Sequence, residues 1–227
     1  MSDSETEAID VGTYEGSRNE SGHRHGYGEC TYSTGDSYKG NYINGLKSGQ
    51  GKYIWSHPTH SYYYEGNYQD GVRNGLGKLT FPDGSSYDGE FNNGTPHGQG
   101  TMTYVSGDSY TGEFANGARQ GKGEYRFALT SEILRGQWED GFIVEGERWI
   151  SDDFFWKGSF KKGQPFGEGF FEFVKLGYRQ HGSYVLTAAE VEDVKEENSD
   201  DEEESLDKVV KVVPPSVLFI PGRIENI

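Results

Sequence analysis

Side chains that commonly carry out chemistry are few in this sequence, and they form no cluster along the chain. Cys30 is the only cysteine, which excludes a disulfide framework and any multi-cysteine zinc site. His57 and His60 have a spacing seen among metal ligands, but Pro58 lies between them and no carboxylate does. The other histidines fall in expected turns or beside repeated glycines: His23, His25, His97 and His181. We therefore predict a packed Cys30 and no metal, cofactor or catalytic residue.

Pairs of glycines separated by one residue recur along the chain, and phosphate-binding loops also contain such pairs. These pairs lack the third glycine and the following helix of a dinucleotide fingerprint, and the chain has no Gly-Lys-Ser/Thr loop. We expect them to serve the backbone of a hairpin instead. The clearest examples are Gly75 with Gly77, Gly98 with Gly100, and Gly121 with Gly123.

The composition is acidic, aromatic and rich in glycine. Among 227 residues, 37 Asp and Glu outnumber 21 Lys and Arg, which gives a formal net charge of −16. This charge disfavours phosphate backbones and anionic lipids, so we expect neither a nucleic-acid partner nor a membrane partner. The 16 tyrosines and 34 glycines predict a folded body with an aromatic core. The acidic start is unlike a secretory signal, and no apolar run approaches the roughly 18 residues of a membrane span. A reducing, intracellular compartment is therefore expected.

One sequence unit repeats along the chain and settles the predicted fold. Tyr64, Tyr87 and Tyr110 follow one another at intervals of 23 residues, and each opens the pattern Tyr-x-Gly-x-aromatic-x-x-Gly. Weaker copies begin at Tyr14, Tyr38, Leu134 and Trp156, and a truncated copy lies near 181–184. A period of this length is the signature of a repeat architecture.

Each unit predicts a β-hairpin, because side chains alternate between the two faces of a strand. Tyr87, Gly89 and Phe91 share one face, and Asp88 and Glu90 share the other. The glycine leaves a gap on the aromatic face, into which a ring from a neighbouring strand can lie flat. Asn-Gly and Asp-Gly pairs supply the turns. The expected structural residues are Tyr38 and Gly40, Tyr64 and Gly66, Tyr87 and Gly89, Tyr110 and Gly112, and Trp156 and Gly158.

We therefore predict an all-β fold, an elongated single-layer solenoid of stacked antiparallel hairpins. Residues 1–11 form a disordered acidic tail, and residues 12–186 form about seven repeats plus a partial one. The sixth repeat is the weakest, because Glu147 replaces its second glycine. A capping box at Thr187 predicts a short helix over 188–197, within an acidic linker at 187–207.

The apolar segment 208–227 is predicted to dock. It adds as a strand to a sheet edge, either its own or a neighbour's, or it becomes ordered only within an assembly. The acidic run before it either solvates a linker or recruits basic partners.

A single-layer sheet leaves part of its aromatic face available, and a partner protein is expected to fill that groove. The alternative is that these rings pack only on one another and on the glycines. We favour it for the tyrosines that open the repeats, which we call the leading row: Tyr38, Tyr64, Tyr87 and Tyr110. The candidate partner-binding residues are of two kinds. A second aromatic row lies two residues after the central glycine of the first strand: Tyr68, Phe91 and Phe114. The others lie on the return strand, which is the second strand of each hairpin: Trp55, Phe81, Tyr104 and Phe127.

The repeated unit resembles the MORN repeat, over about three quarters of the chain. The segment Gly12–Gly26, the variant Pro165-x-Gly167-x-Gly169 and the stretch 180–187 are similar to the MORN proteins of the radial spoke head. This resemblance implies a location in the cytoplasm and cytoskeleton, in the axoneme of motile cilia and flagella. It also implies other spoke-head proteins as partners, a second copy of the chain in a two-fold spoke head, and contact with the central apparatus.

The resemblance implies a structural scaffold that is not an enzyme and that helps transmit central-apparatus signals to dynein. Two alternatives stay open: an adaptor between membrane lipids and the cytoskeleton, and a regulatory repeat array for an enzyme. The first predicts basic residues clustered on one face. The second needs a separate catalytic domain, and the residues outside the repeats are too few and too charged to form one.

Overall fold

The computed structural model describes residues 12–57, 59, 62–186, 190–193, 210–213 and 217–227. Its contacts divide the chain into two compact units, Met1–Phe142 and Ile143–Ile227. The predicted all-β architecture of consecutive antiparallel hairpins is confirmed in both of them. A single 3-10 turn, Val174–Leu176, is the one helical element among the described residues.

Unit one is one layer of strands, each paired with the next strand in the chain. Its strands are β1 Thr13–Arg18, β2 Arg24–Thr31, β3 Ser37–Ile43, β4 Leu46–Trp55, β5 Tyr62–Gln69, β6 Val72–Thr80, β7 Ser86–Asn92, β8 Thr95–Thr103, β9 Ser109–Ala115, β10 Ala118–Arg126 and β11 Ile133–Glu139. The turns have the predicted chemistry: Asn93 and Asn116 have φ of 48° and 50°, and a glycine with positive φ follows each. Asparagine and glycine tolerate this left-handed backbone.

Unit two continues the pattern and ends differently. Its strands are β12 Phe142–Ser151, which begins at the boundary, β13 Phe154–Lys161, β14 Gln164–Phe173, β15 Tyr178–Leu186 and β18 Val217–Asn226. β18 pairs antiparallel with β15, so the C-terminal segment docks on a sheet edge of its own chain. The predicted addition of this segment as a strand is confirmed, over 217–226.

The helix predicted over 188–197 is wrong at its centre. β16, Glu190–Asp193, is a strand that pairs antiparallel with β17, Val210–Val213. Pairing with a valine-rich strand overrides the local helix-capping signal, since propensity is a weak guide beside tertiary pairing. The other residues of the predicted helix, the acidic tail at 1–11 and most of the linker lie outside the described residues.

A continuous row of glycines crosses the sheet and receives the leading tyrosine rings. Gly89 pairs with Gly100 in the same hairpin and with Gly77 in the preceding strand. A Cβ built on Gly100 would lie 2.4 Å from the Tyr87 hydroxyl oxygen, so the ring occupies the space that a side chain would need. The Tyr87 hydroxyl donates to the Glu90 carbonyl at 2.9 Å. The repeated glycine is therefore explained by packing, because the tyrosine ring lies where a side chain would otherwise be.

The sixth repeat keeps this row by a different residue from the one predicted. Gly146, not Glu147, pairs with Gly158. The missing glycine is therefore the first of the pair, at Val144, and the prediction about Glu147 is wrong. Spacing alone did not fix which residue of this irregular strand meets the row.

The core lies on the aromatic face. Tyr38, Tyr64, Tyr87 and Trp156 have no exposed surface, because rings of adjacent repeats meet edge to face. The Tyr64 ring contacts the Phe91 ring of the next repeat at 5.0 Å and 83°. The predicted packing of the leading row on itself and on the glycines is confirmed.

Candidate functional site

Five aromatic side chains of unit one are half-buried in equivalent positions and remain partly accessible. They stand four places after the second glycine of each pair, and we call them the return-strand row: Tyr32, Trp55, Phe81, Tyr104 and Phe127. The Trp55 ring stacks on the Tyr62 ring at 5.0 Å. The Phe127 ring contacts the Tyr125 ring at 4.8 Å. The row has local support and still offers aromatic surface to a ligand.

The second aromatic row does not belong to this accessible surface. Tyr68, Phe91 and Phe114 are only 6%, 3% and 6% exposed. The expectation that part of this row stays available is therefore wrong for these three residues. Each ring lies between leading tyrosines of two repeats, as when Phe114 meets Tyr87 at 4.9 Å and Tyr110 at 5.2 Å. Neighbouring repeats cover the row without a second layer.

Sequence reasoning missed a line of cations on the same face, which we call the cation row. Its members stand two residues before the first glycine of a Gly-x-Gly pair: Arg24, Lys47, Arg73 and Arg119. Two of them pair across strands with the second aromatic row, Arg73 with Tyr68 and Arg119 with Phe114. Lys47 pairs in the same way with Tyr42, which holds the second-row position of the second repeat. Cross-strand partners share a face of the sheet. The signal was present in the sequence as a basic residue recurring at one position of the unit.

The cation head groups lie over aromatic rings. The Lys47 ammonium is 4.2 Å from the centre of the Tyr53 ring and 5.6 Å from that of Tyr32. The Arg73 guanidinium is 5.8 Å from the Trp55 ring, so the cation row reaches the return-strand row. The Arg119 guanidinium lies 4.7 Å from the Trp138 ring. Aromatic and cationic surfaces therefore form one strip.

Burial changes the titration of this strip. Desolvation lowers the pKa of Lys47 to about 8, because the ammonium loses water among the rings. Burial raises the pKa of Tyr64, Tyr87 and Tyr110 to about 12. The tyrosines stay neutral at ordinary pH, and the cations supply the charge of this face.

Two aspartates in turns hold the return strands in place. Asp108 accepts a hydrogen bond from the Tyr125 hydroxyl at 2.7 Å and one from the Ala128 amide at 2.8 Å. Asp36 accepts from the Tyr53 hydroxyl at 2.8 Å in the same way. Both carboxylates keep their negative charge. Desolvation has the largest effect on the pKa of Lys47 and lowers it, and the charge of Asp36 opposes that shift.

The opposite face carries mixed charges and shallow depressions. Lys39 pairs with Glu29 at 2.8 Å, and Lys52 pairs with Glu65 at 2.9 Å, both at exposed positions. Such surface pairs contribute little stability. Glu90, also on this face, accepts the Gln99 amide at 3.0 Å. One depression lies over the glycine row, lined by Gln50, Glu65, Gly66, Leu76, Gly77, Lys78 and Asp88.

The remaining candidates for chemistry have structural contacts. Cys30 is 1% exposed, which confirms its predicted packed position. The His57 Nδ1 atom lies 3.1 Å from the Thr59 hydroxyl, and His60 is outside the described residues. The His181 Nε2 atom lies 2.8 Å from the Glu225 carboxylate. Within the described ranges, no three metal-ligating side chains gather at one point, and no helix is long and apolar enough to span a membrane.

The repeated hairpin has a known counterpart. The family model described as the MORN repeat matches more than half of the chain, at residues 20–37, 38–56, 64–86, 87–109, 110–128 and 156–176. The chain belongs to the MORN-repeat family. The match omits residues 129–155, which include the irregular sixth unit where Val144 replaces a glycine.

Part of this MORN protein is also similar to a protein of Cyprinus carpio named Radial spoke head 1 homolog. The two are 49% identical over 49 residues, a stretch that is 19% of this chain and 22% of the relative. The chain therefore spans about a fifth of the length of the relative it matches.

Proposed function

We propose that this MORN protein is a non-enzymatic structural scaffold of the radial spoke head, in the axoneme of motile cilia and flagella. It binds other spoke-head subunits and helps transmit signals from the central apparatus to dynein. The similarity of a 49-residue stretch to Radial spoke head 1 homolog supports the setting. The strip of half-buried rings and cations in unit one supports the binding role.

The return-strand row is the observation that carries this proposal. Phe81, Tyr104 and Phe127 recur once per repeat and keep part of their rings accessible. Partly buried aromatic residues are frequent hot spots of protein interfaces. A stack of repeats presents them along an extended surface, which suits a scaffold.

The test replaces Phe81, Tyr104 and Phe127 together by leucine in a tagged copy expressed in a flagellated cell. Leucine keeps apolar bulk but removes the ring face, so folding is retained and partner affinity falls. The readouts are the position of the tag in the axoneme and the spoke-head proteins that co-purify with it. The matched control replaces exposed apolar residues outside the row by alanine: Leu76, Val105 and Leu129, which are 64%, 66% and 96% exposed.

We expect the wild-type and control chains to reach the axoneme and to retain their neighbours. The row variant should lose those neighbours while keeping its thermal unfolding transition. Unchanged co-purification of the row variant would refute the role of the row. A wild-type chain absent from the axoneme would refute the spoke-head setting.

A further inference from the structure

The cation row is not required by the hairpin that carries it. The same position is occupied by Pro96 in the fourth repeat and by Pro165 in the seventh. In the same register, Pro96 pairs with Phe91 and Pro165 pairs with Phe160. A hairpin therefore forms with proline at this place. Arg24, Lys47, Arg73 and Arg119 put positive charge on one face of a chain whose net charge is −16.

A bracing role accounts for only part of this row. The Arg73 guanidinium donates to the Gly94 carbonyl at 2.7 Å, and that of Arg119 donates to the Gly141 carbonyl. A guanidinium carries five N–H donors, so most of them stay available. Lys47 has no such role. Its ammonium lies among four rings at 4.2 to 5.9 Å and forms no hydrogen bond to any residue the structure describes.

A desolvated ammonium without an acceptor is an unfavourable arrangement that an incoming carboxylate corrects. The remaining N–H groups of Arg73 and Arg119 can also donate to a carboxylate, two from one guanidinium as a bidentate pair. The carboxylates of Asp36 and Asp108 accept hydrogen bonds from tyrosine hydroxyls and backbone amides. Asp36 acts on Lys47 through its charge, without a hydrogen bond among the described residues, so the ammonium keeps its donors for a carboxylate of a ligand.

The spacing of the row selects the conformation of that ligand. Each repeat contributes two strands at about 4.8 Å, so the cations recur about every 9.6 Å along the stack. A polyproline II helix rises about 3.1 Å per residue with three residues per turn, so every third side chain returns to one face after about 9.3 Å. A β-strand places residues i and i+3 on opposite faces and does not match. Aromatic-lined grooves bind polyproline II segments through their proline rings.

We propose that the strip formed by the cation row and the return-strand row binds an acidic, proline-rich segment of a protein partner, in the polyproline II conformation, with one carboxylate for each repeat that carries a cation. The prolines pack on Trp55 and its equivalents, and the carboxylates meet Lys47, Arg73 and Arg119. The fourth repeat, with Pro96, has no cation to offer. This inference rests on the proposed function, since it assigns the chemistry of the partner that the same face binds.

The experiment measures binding of fluorescein-labelled peptides to the full chain by fluorescence anisotropy. The probe is a run of Pro-Pro-Glu triplets. The first control peptide has glutamine in place of glutamate, and the second has the same composition with all glutamates in one block. We expect the triplet peptide to bind, and each control to bind about tenfold more weakly or worse, given the strength of charge-assisted hydrogen bonds. Affinity of the triplet peptide should fall with added salt.

Variants assign the site to one face. The double variant Lys47→Gln and Arg119→Gln should lose about tenfold or more in affinity. The matched control, Lys52→Gln with Lys122→Gln, removes the same charge from the opposite face and should bind like the wild type. The charge-preserving pair Lys47→Arg and Arg119→Lys should also bind, which separates loss of charge from loss of folding.

Equal binding of the glutamate and glutamine peptides, or of the triplet and block peptides, would overturn the proposal. So would an equal loss in the opposite-face control. Vesicles containing phosphoinositides form a further arm: binding of vesicles that depends on Lys47 and Arg119, without peptide binding, would assign the strip to lipid instead. If the peptides fail while the leucine variant of the return-strand row still loses its neighbours in the flagellum, this inference falls and the proposed function stands.

Discussion

Unit one and unit two each place an aromatic ring on paired glycines, but the rings differ. In unit one, the Tyr87 ring lies on the glycines and its hydroxyl donates to the Glu90 carbonyl at 2.9 Å. In unit two, the Trp156 ring takes that place, and its buried Nε1 atom has no hydrogen-bond partner among the described atoms. The hairpin stack therefore requires a flat ring over paired glycines. The hydrogen bond is an addition to that requirement.

The two units also differ in how they hold a return strand. In unit one, Asp108 accepts the Tyr125 hydroxyl at 2.7 Å. The equivalent residues of unit two are Phe154 and Phe171, whose rings stack at 4.9 Å and 13°. A polar latch and an apolar stack occupy one position of the repeat. The fold tolerates either, so the polar contacts and cations of unit one are open to functional use.

The largest expected effect comes from filling the glycine row. In Gly89→Ala, the new Cβ would lie 2.5 Å from the Gly100 Cα and 2.6 Å from the Gln99 carbonyl oxygen, so two backbones must separate. We expect a loss of about 4 kcal/mol or more in the free energy of unfolding, measured by denaturant titration. The control Gly117→Asn sits at φ +83° with nothing within 4 Å, and should cost about 1 kcal/mol or less. Equal losses would show that the row is not a steric requirement.

The second prediction concerns the strand that ends unit two. Phe219 contacts the Phe171 ring at 5.0 Å and the Tyr184 ring at 5.2 Å. Phe219→Ala should destabilise unit two by about 3 kcal/mol through lost packing. The matched control Leu218→Ala, in the same strand with a side chain 53% exposed, should stay within about 0.5 kcal/mol of the wild type. Similar values for both would mean that β18 does not complete the core of unit two.

The third prediction separates the units by alkaline pH. In unit one, burial raises the pKa of nine tyrosines, and in unit two it raises that of Tyr184 alone among the described residues. A folded-state pKa above the unfolded value of about 10 gives stability that is complete below pH 10 and lost as pH rises toward the folded value. The denaturant concentration at the unfolding midpoint of unit one should therefore decrease as pH rises past 10, and that of unit two should decrease less.

Tryptophan fluorescence distinguishes the units in this experiment. Trp55 and Trp138 lie in unit one, and Trp149 and Trp156 lie in unit two. Replacing either pair by phenylalanine leaves a reporter in the other unit. Between pH 9 and pH 11, the denaturation midpoint reported from unit one should fall by more than that reported from unit two. A parallel decline of both midpoints would contradict the prediction.

The sequence predicted those features that depend on period and turn chemistry. The 23-residue spacing fixed the hairpins, and Asn93-Gly94 fixed a turn, because few residues adopt the backbone that such turns need. The role of Gly89 followed from its place between Tyr87 and Phe91 on the aromatic face. Each of these depends on residues within one repeat, where sequence separation is short.

Features that depend on contacts between repeats or between distant segments were harder to predict from the sequence. Alternation placed Phe114 on the aromatic face but did not reveal that rings of two repeats cover it. The strand at Glu190–Asp193 formed against a segment 20 residues later, which a local capping signal does not register. The cation row was visible as a pattern, but its meaning required the position of Lys47 over the rings of other strands.

The smallest expected effect tests the polar latch of unit one. In Asp108→Asn, the hydrogen bonds from the Ala128 amide and the Tyr125 hydroxyl lose their charged acceptor at an exposed turn, so the cost should be about 1 kcal/mol or less. The same two bonds, the amide first, lower the pKa of Asp108. A depressed folded pKa gives stability that is present above the unfolded pKa of about 3.9 and lost as pH falls through the folded value. Acid titration of unfolding should therefore show a smaller pH dependence below pH 4 in Asp108→Asn than in the wild type. Phe154→Leu, at the equivalent position of unit two, should leave that pH dependence unchanged, because the stack it disrupts carries no proton. An acid response that Asp108→Asn fails to reduce would show that the latch contributes nothing in solution, and that the two units differ in residue type alone.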